Sequence, residues 1–400
     1  MDLFVVCAPG LEEVTAGEVA ALSLAGRAVP GGVELQGDLR TVALLNLWLR
    51  TASRVVARLG SFTAKTFPEL VHKARELPWE MALRPRAAAA LRVTCRKSKL
   101  YHSDAVAERL RMAIEARLGA PSPAAGEDDE GAQLFLARFD RDVCTVSADT
   151  SGVLLHQRGY RLAPGPAPLR ETLAAALLLS AGWTGATPFC DPLCGAGTIA
   201  IEAALIATGR APGAGRAFAF QRWPKAPPLA DLSTLSATRI HPGVEPKLPP
   251  EGEPSIEPRA EIEASDLSAS AIAAARANAQ RAGVEISFVQ RPLADLPPRD
   301  GPGLVATNPP YGVRVGPLGE RPGGPGNGGE LDAMYRELGQ VLRARRPGWQ
   351  LAVVVPHERL GRAIGPAMQR LLKTQNGGLP VELLLARAQV QPVPRGNGEV

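Results

Sequence analysis

An Asn-Pro-Pro-Tyr tetrapeptide, Asn308 to Tyr311, follows the short apolar run Gly303 to Thr307 and is followed by Gly312. These residue types suit alkylation of an exocyclic amine on a flat base. The lone pair of such an amine is delocalised into the ring, so the nitrogen is a poor nucleophile. The side-chain oxygen of Asn308 and the carbonyl of Pro309 can each accept one N–H. Together they favour a pyramidal nitrogen with its lone pair aimed at a methyl donor. Pro309 and Pro310 stiffen the backbone that carries the carbonyl, and acceptors fixed in advance lower a barrier efficiently. Tyr311 supplies a face on which the base can stack. The structural alternative is a proline-stiffened turn that closes a buried strand.

A donor needs its own cradle, and a second cluster fits that role. Asp191-Pro192-Leu193-Cys194-Gly195-Ala196-Gly197-Thr198 lies between an expected strand and an expected helix, 198–208. Gly195 and Gly197 let backbone approach a ligand closely, and a helix start favours negative groups. The loop also fits a dinucleotide fingerprint, with Ala200 in the third small position. Against that reading, no acid stands about twenty residues further on to hold a ribose; the chain there runs into Phe218 and a Pro-rich stretch. Asp191, four positions before the first glycine, can face the ammonium of a methionine-derived cofactor. Asp266 ends the next expected strand, where a carboxylate can accept both hydroxyls of a ribose; its alternative role is an N-cap for helix 267–282. The loop, the acid and the tetrapeptide fall on strands one, two and four of one sheet, an ordering more specific than any single element.

The elements that must position these residues read as α/β. From residue 169 onward, helix 169–181 precedes expected strands at 187–190, 261–265, 285–289, 303–307 and 349–355, most of them trailed by helical stretches. This predicts a parallel, doubly wound, Rossmann-like sheet, with a terminal hairpin near 370–374 and 381–389 closing one edge. Before it, residues 1–60 and 61–160 each read as small α+β units. In the first, Leu3 to Cys7, Val29 to Leu35 and Val55 to Phe62 are expected strands. The second has strands at 90–95, 133–139 and 143–149 and a helix over 103–118. Pro164 to Pro168 is a stiff linker and marks the domain boundary. Residues 224–258 hold nine of the 37 prolines and read as an irregular insertion, and residues 316–329 are half glycine, either a lid beside the tetrapeptide or a slack linker.

Composition bounds the partners. The 400 residues are 45% hydrophobic and only 4% aromatic, with a net charge of +5. This mild basic excess permits a nucleic-acid partner. Its placement is more telling: six basic residues and no acid lie between Arg84 and Lys99, among them Arg96, Lys97 and Lys99, with Tyr101 and His102 adjoining. The alternative is a solvated basic face. Glu127 to Glu130 is an acidic run, expected as a solvated loop. Five scattered cysteines form no C-x-x-C pair, so neither a zinc site nor a disulfide framework is expected. The N-terminus lacks a leader pattern and the longest apolar stretch, Leu173 to Trp183, is too short to span a bilayer, so a cytoplasmic protein is expected.

On these residues the chain resembles the class I S-adenosylmethionine-dependent RNA methyltransferases that carry a THUMP domain. Within them it is similar to the RlmL type, guanine-N2 methyltransferases of large-subunit 23S ribosomal RNA. Besides the two motifs above, Pro9-Gly10-Leu11-Glu12, Leu49 to Val55, Pro78-Trp79-Glu80, Leu100 to Ser103, Arg158 to Arg161 and Arg170 to Ala175 carry the likeness, which covers nearly the whole chain. It implies an N-terminal ferredoxin-like unit (1–60), a THUMP domain that grips RNA (61–160) and a catalytic domain (161–400). The cofactor implied is S-adenosylmethionine, and the acceptor is a guanine N2 amine. A second methyltransferase domain, present in some longer relatives, is absent from the sequence. Relatives usually place an acid just after the third strand for the cofactor adenine. Here Gln290-Arg291-Pro292-Leu293 stands there, and Asp295 is the nearest acid. Val313 also stands where relatives often carry Glu, leaving Arg314 without that neighbour. A transfer-RNA guanine, an adenine N6 amine, and a non-catalytic RNA-binding assembly role are the competing readings.

Overall fold

The computed structural model describes residues 1–127, 129–161, 169–226, 228, 234–235, 260–311, 328–365 and 367–387. They fall into two compact units, 1–159 with 210–253 and 160–209 with 254–400. The Pro164 to Pro168 linker and nearly all of the Pro-rich and Gly-rich insertions lie outside the described residues, as do Val313 and Arg314.

The first unit runs β1 (Asp2–Cys7), α1 (Glu12–Ala21), β2 (Gly26–Val29), β3 (Gly32–Gln36), α2 (Leu39–Trp48), β4 (Ala52–Thr63), α3 (Phe67–Arg75), β5 (Ala89–Arg96), α4 (Ser103–Leu118), β6 (Ala124–Ala125), β7 (Gln133–Asp140) and β8 (Val143–Asp149). All eight strands form one sheet of order β2-β3-β1-β4-β8-β7-β5-β6. The sequence reading divides this region near residue 60, but β4 crosses that point. Its first half pairs with β1 and its second half with β8, and a bulge near Gly60 lets the twelve-residue strand bend between them. The expected strand 29–35 is instead a hairpin of β2 and β3. Gly31 turns the chain with φ +90°, a conformation that favours glycine.

Caps fix the helices. Asp38 accepts the N–H of Thr41 at 2.8 Å while the Thr41 hydroxyl accepts the Asp38 N–H, a reciprocal cap for α2. Thr66 starts α3, with Pro68 in its first turn. The core holds Leu3, Val5, Leu45, Trp79, Phe135 and Phe139, all essentially fully buried, and Trp79 meets Phe135 edge-on at 5.0 Å. Glu127, expected in a solvated loop, pairs with Arg92 of β5.

Residues 210–226, which the sequence places inside the C-terminal domain, pack with the first unit. Phe218, Phe220 and Trp223 enter its core. Trp223 Nε1 donates to Gln133 Oε1 at 2.8 Å, and Phe220 N donates to the Thr150 carbonyl at 3.0 Å. Three large rings need an apolar place, and the first unit offers it.

The second unit comprises α5 (Glu171–Ser180), β9 (Phe189–Asp191), α6 (Thr198–Ala207), β10 (Ile262–Asp266), α7 (Ala269–Ala282), β11 (Ser287–Gln290), β12 (Leu304–Thr307), α8 (Gly328–Arg345), β13 (Gln350–Val355), α9 (Glu358–Ile364), β14 (Gln369–Asn376) and β15 (Leu379–Ala386). Sheet order is β11-β10-β9-β12-β13-β15-β14. Strands β11 to β13 are parallel, and β15 runs antiparallel between β13 and β14. The hairpin therefore does more than close an edge. Val381 to Leu385 are buried, which suits an interior strand, whereas the more exposed β14 takes the edge. The order reverses between β9 and β12, and the crevice at the carboxyl ends of these two strands is where open α/β sheets hold ligands. Among the described residues no helix is long and apolar enough to cross a membrane, and no cluster of His, Cys, Asp or Glu is placed to hold a metal.

Candidate active site

β9 ends in Asp191 and β12 ends in Thr307, on adjacent parallel strands. Both side chains are buried, and the Thr307 hydroxyl donates to Asp191 Oδ1 at 2.8 Å. Leu193 N approaches the same oxygen at 3.3 Å. Asp191 Oδ2 has no donor among the described residues. Burial pushes the Asp191 carboxyl up to about 7, and the nearby Asp266 charge acts in the same direction. The bonds from Thr307 and Leu193 oppose them without winning. A cation beside Oδ2 would reverse that balance.

The loop after β9 is held in shape by backbone. Cys194 N donates to the Ser265 carbonyl at 2.9 Å, and Gly197 N to the Cys194 carbonyl at 2.8 Å. Gly195 and Gly197 both have positive φ, +51° and +84°. Around Gly195 the space a Cβ would enter is open, whereas at Gly197 it would lie 3.0 Å from Ala275 Cβ. The first glycine leaves room for a ligand, and the second lets α6 start close against α7. Asn278 of α7 donates to the Ala196 carbonyl at 3.0 Å and is itself bonded by Arg281. On the other side, Arg161 bonds the Thr198 hydroxyl and pairs with the buried Glu171 at 3.4 Å. The Cys194 thiol is buried and its pKa is raised by desolvation, so it stays protonated; Cys190 is pushed up to about 12 for the same reason.

Asp266, half-exposed at the end of β10, accepts Gly195 N on Oδ2 and Ser268 N on Oδ1, each at 2.9 Å. Each oxygen keeps a lone pair for a further donor. The N-cap of α7 is Ser268, whose hydroxyl accepts the N–H of Ala271, so Asp266 is not needed there. Gln290 ends β11 directly beside Asp266 in register, and its side chain donates to the Leu267 carbonyl at 3.2 Å. Asp295 is exposed in a short 3-10 turn after β11, with no side-chain bond to a described residue.

Asn308 to Tyr311 leave β12 directly. The Tyr311 hydroxyl donates to Asn308 Oδ1 at 2.5 Å, and the buried Tyr335 of α8 donates to the Pro310 carbonyl at 3.3 Å. Burial raises the pKa of both phenols, so both remain donors. Among the described residues nothing donates to the Pro309 carbonyl. Asn308 Oδ1 retains its second lone pair.

Bonds link Asp191 to Thr307, the residue before Asn308, and Asp266 to Gly195 of the loop that also carries Cys194, Gly197 and Thr198, whereas no bond draws Asp295 to them. Arg96, Lys97 and Lys99 are exposed on the first unit, at the end of β5 and in the loop after it. No role in the site is expected from sequence for Thr307, Asn278, Arg161 or Tyr335, although Thr307 closes the apolar run before Asn308 and Arg161 stands in one of the family-like segments.

A switch-point crevice with this glycine loop and a strand-end acid, in a sheet whose last interior strand is antiparallel, defines a class I S-adenosylmethionine-dependent methyltransferase fold. The open cradle at Gly195, the undonated oxygen of Asp191 and the spare lone pairs of Asp266 fit that cofactor. The chain belongs to the RMKL-like methyltransferase family, whose catalytic-domain profile matches residues 158–384, and residues 2–56 match an RlmL ferredoxin-like domain. It is 33% identical over 404 residues to a "Ribosomal RNA large subunit methyltransferase K/L" of Marinobacter nauticus, covering 96% of this chain but 52% of that protein. It is 32% identical to "Putative RNA methyltransferase YpsC" of Bacillus subtilis, covering 96% and 95% of the two chains. The chain therefore spans about half the length of the first relative and nearly all of the second. Among solved structures, SMU.472, "a putative methyltransferase complexed with SAH", is 28% identical with a TM-score of 0.79 over 97% of this chain and 98% of that one.

Proposed function

We propose that the chain methylates the exocyclic N2 amine of a guanine in 23S ribosomal RNA, using S-adenosylmethionine. The observation that carries this reading is the coupling of two motifs across one strand pair. Thr307, bonded to Asp191, is the residue immediately before Asn308. The donor side and the acceptor side of the site are thereby held on one rigid frame.

The bound cofactor supplies an electrophilic methyl group. Asp191 Oδ2 receives its ammonium, Asp266 its ribose hydroxyls, and the backbone around Gly195 and Gly197 lets it lie close to the sheet. For the adenine, Gln290 stands beside Asp266 where an acid is usual, and Asp295 is the alternative contact. Asn308 Oδ1 and the Pro309 carbonyl each accept one N–H of the base amine, orienting its lone pair. Tyr311 holds the Asn308 amide through its hydroxyl while its ring offers a stacking face. Tyr335 fixes the Pro310 carbonyl and, with it, the turn.

Guanine, ribosomal RNA and the THUMP role of residues 61–160 rest on the family likeness and on the basic residues Arg96, Lys97 and Lys99. The name of the Marinobacter relative points to ribosomal RNA. Incubating the purified chain with S-adenosylmethionine and RNA, then digesting the RNA for nucleoside mass spectrometry, tests the reading. N2-methylguanosine in 23S RNA is expected. N6-methyladenosine, or product in transfer RNA alone, would replace it with one of the competing readings.

A further inference from the structure

Three of the five non-glycine residues with left-handed backbone among the described residues lie in two turns that touch each other. Lys97 (φ +48°) is in the loop after β5. Arg141 (φ +50°) and Asp142 (φ +65°) form the turn between β7 and β8. Such conformations are unfavourable for side-chain-bearing residues and persist where surrounding bonds over-determine them. Four bonds do so here. Arg141 N donates to the Arg96 carbonyl at 3.1 Å, Lys99 N to Asp142 Oδ1 at 2.7 Å, Asp142 N to Ser98 Oγ at 3.0 Å, and Ser98 Oγ to the Arg96 carbonyl at 2.9 Å.

The network fixes a rim of positive charge. Arg96, Lys97, Lys99 and Arg141 are all exposed, and none is in an ion pair with a described residue. Elsewhere in the unit Arg92 pairs with Glu127 and Arg117 with Glu80, while Arg84, Arg86 and Arg138 are also exposed without an ion pair to a described residue. Asp142 spends its carboxylate on the loop backbone rather than on a neighbouring cation. Two residues beyond Lys99 stands Tyr101, 67% exposed, its ring 4.1 Å from that of His102. Tyr101 is one of the chain's four tyrosines, and its ring stays this open although it packs against His102.

The geometry points to a clamp for unpaired RNA nucleotides: Arg96, Lys97, Lys99 and Arg141 hold phosphates, and Tyr101 stacks on a base. The proposal rests on the RNA reading above and adds to it the kind of RNA recognised. A base inside a duplex has no free face for a side chain, whereas an unpaired base does. Phosphate contacts alone would grip duplex and single strand alike, so the exposed ring is what selects the single strand.

The full chain is titrated with an oligouridylate dodecamer and with a blunt RNA duplex of the same length, at several salt concentrations. Tyr101→Ala is expected to weaken single-strand binding about tenfold, leave the duplex unchanged and keep the slope of log affinity against log salt. Tyr101→Phe, which keeps a stacking ring, should match the unaltered chain. Replacing Arg96, Lys97 and Lys99 with Ala, or Arg141 alone, should flatten the single-strand slope by roughly 0.7 for each phosphate that is no longer held. The melting transition followed by tryptophan fluorescence, with Trp48, Trp79 and Trp223 in the first unit's core, reports in parallel that each variant is folded. If the unaltered chain binds the dodecamer and Tyr101→Ala binds it equally well, or loses duplex affinity to the same extent, the clamp is wrong while the RNA reading stands. If the unaltered chain binds neither oligonucleotide, both are wrong.

Discussion

The proposed seat of the cofactor ammonium on Asp191 predicts that binding depends on pH. The Asp191 carboxyl is held near 7 by burial in the structure described, but it must be ionised to receive an ammonium group on Oδ2. The folded-state pKa is raised, so the carboxylate is progressively protonated as pH falls through 7, and affinity falls with it. The ligand's own α-ammonium, beside a free carboxylate, stays protonated over this range. The ionised fraction of a carboxyl near 7 then makes binding about eightfold weaker at pH 6 than at pH 7.4. Calorimetry with S-adenosylhomocysteine, which shares the ammonium, measures this directly. It also gives proton release when repeated in buffers of different ionisation enthalpy. 5′-Methylthioadenosine keeps the ribose and adenine but lacks the ammonium, and its affinity should be flat over the same range. Asp191→Asn should bind S-adenosylhomocysteine more weakly and without the acid-side fall. Equal affinity at pH 6 and 7.4, or the same fall for the thioether, would refute the placement of Asp191 against the ammonium.

Asp266→Ala should weaken S-adenosylmethionine and S-adenosylhomocysteine alike by calorimetry, because ribose is common to both; unchanged affinity would reduce Asp266 to a brace for Gly195. Asp295→Ala tests the adenine contact in the same assay, and no change would remove Asp295 from the site. Gly197→Ala places a side chain at φ +84° and 3.0 Å from Ala275 Cβ, a combination expected to cost about 1–2 kcal/mol; an unchanged melting temperature would contradict it. Tyr335→Phe removes the donor to the Pro310 carbonyl and should lower kcat severalfold with KM for RNA little changed, whereas a purely structural role would lower the melting temperature and leave kcat alone.

How far the sequence discloses the fold depends on where each signal sits. Strands β12 and β13 read clearly because each is a short, nearly continuous apolar run bounded by turn residues, and motifs punctuate the ends of β9, β10 and β12. The place of β15 was less legible. Its run of buried residues marks an interior strand, but nothing local tells which neighbour it pairs with or in which direction. Residues 210–226 misled for a different reason. Phe218, Phe220 and Trp223 are apolar enough to need a core, but sequence adjacency to the C-terminal domain says nothing about which core they enter. The site shows the same division. Asp191, Asp266 and Asn308 stand at strand ends and in recognisable spacing. Thr307, Asn278 and Tyr335 act through single long-range bonds that only the folded chain brings about. Asp266 as an N-cap was a local inference, and Ser268 two residues later does that work.

The most direct test of the account is single-turnover methyl transfer to 23S ribosomal RNA by the unaltered chain and by Asn308→Ala, with the product nucleoside identified by mass spectrometry. The account predicts N2-methylguanosine from the unaltered chain, and a rate lower by about 10²-fold or more in the variant with cofactor affinity unchanged. A variant rate within a few-fold of the unaltered chain would make Asn308 a turn residue and contradict the mechanism.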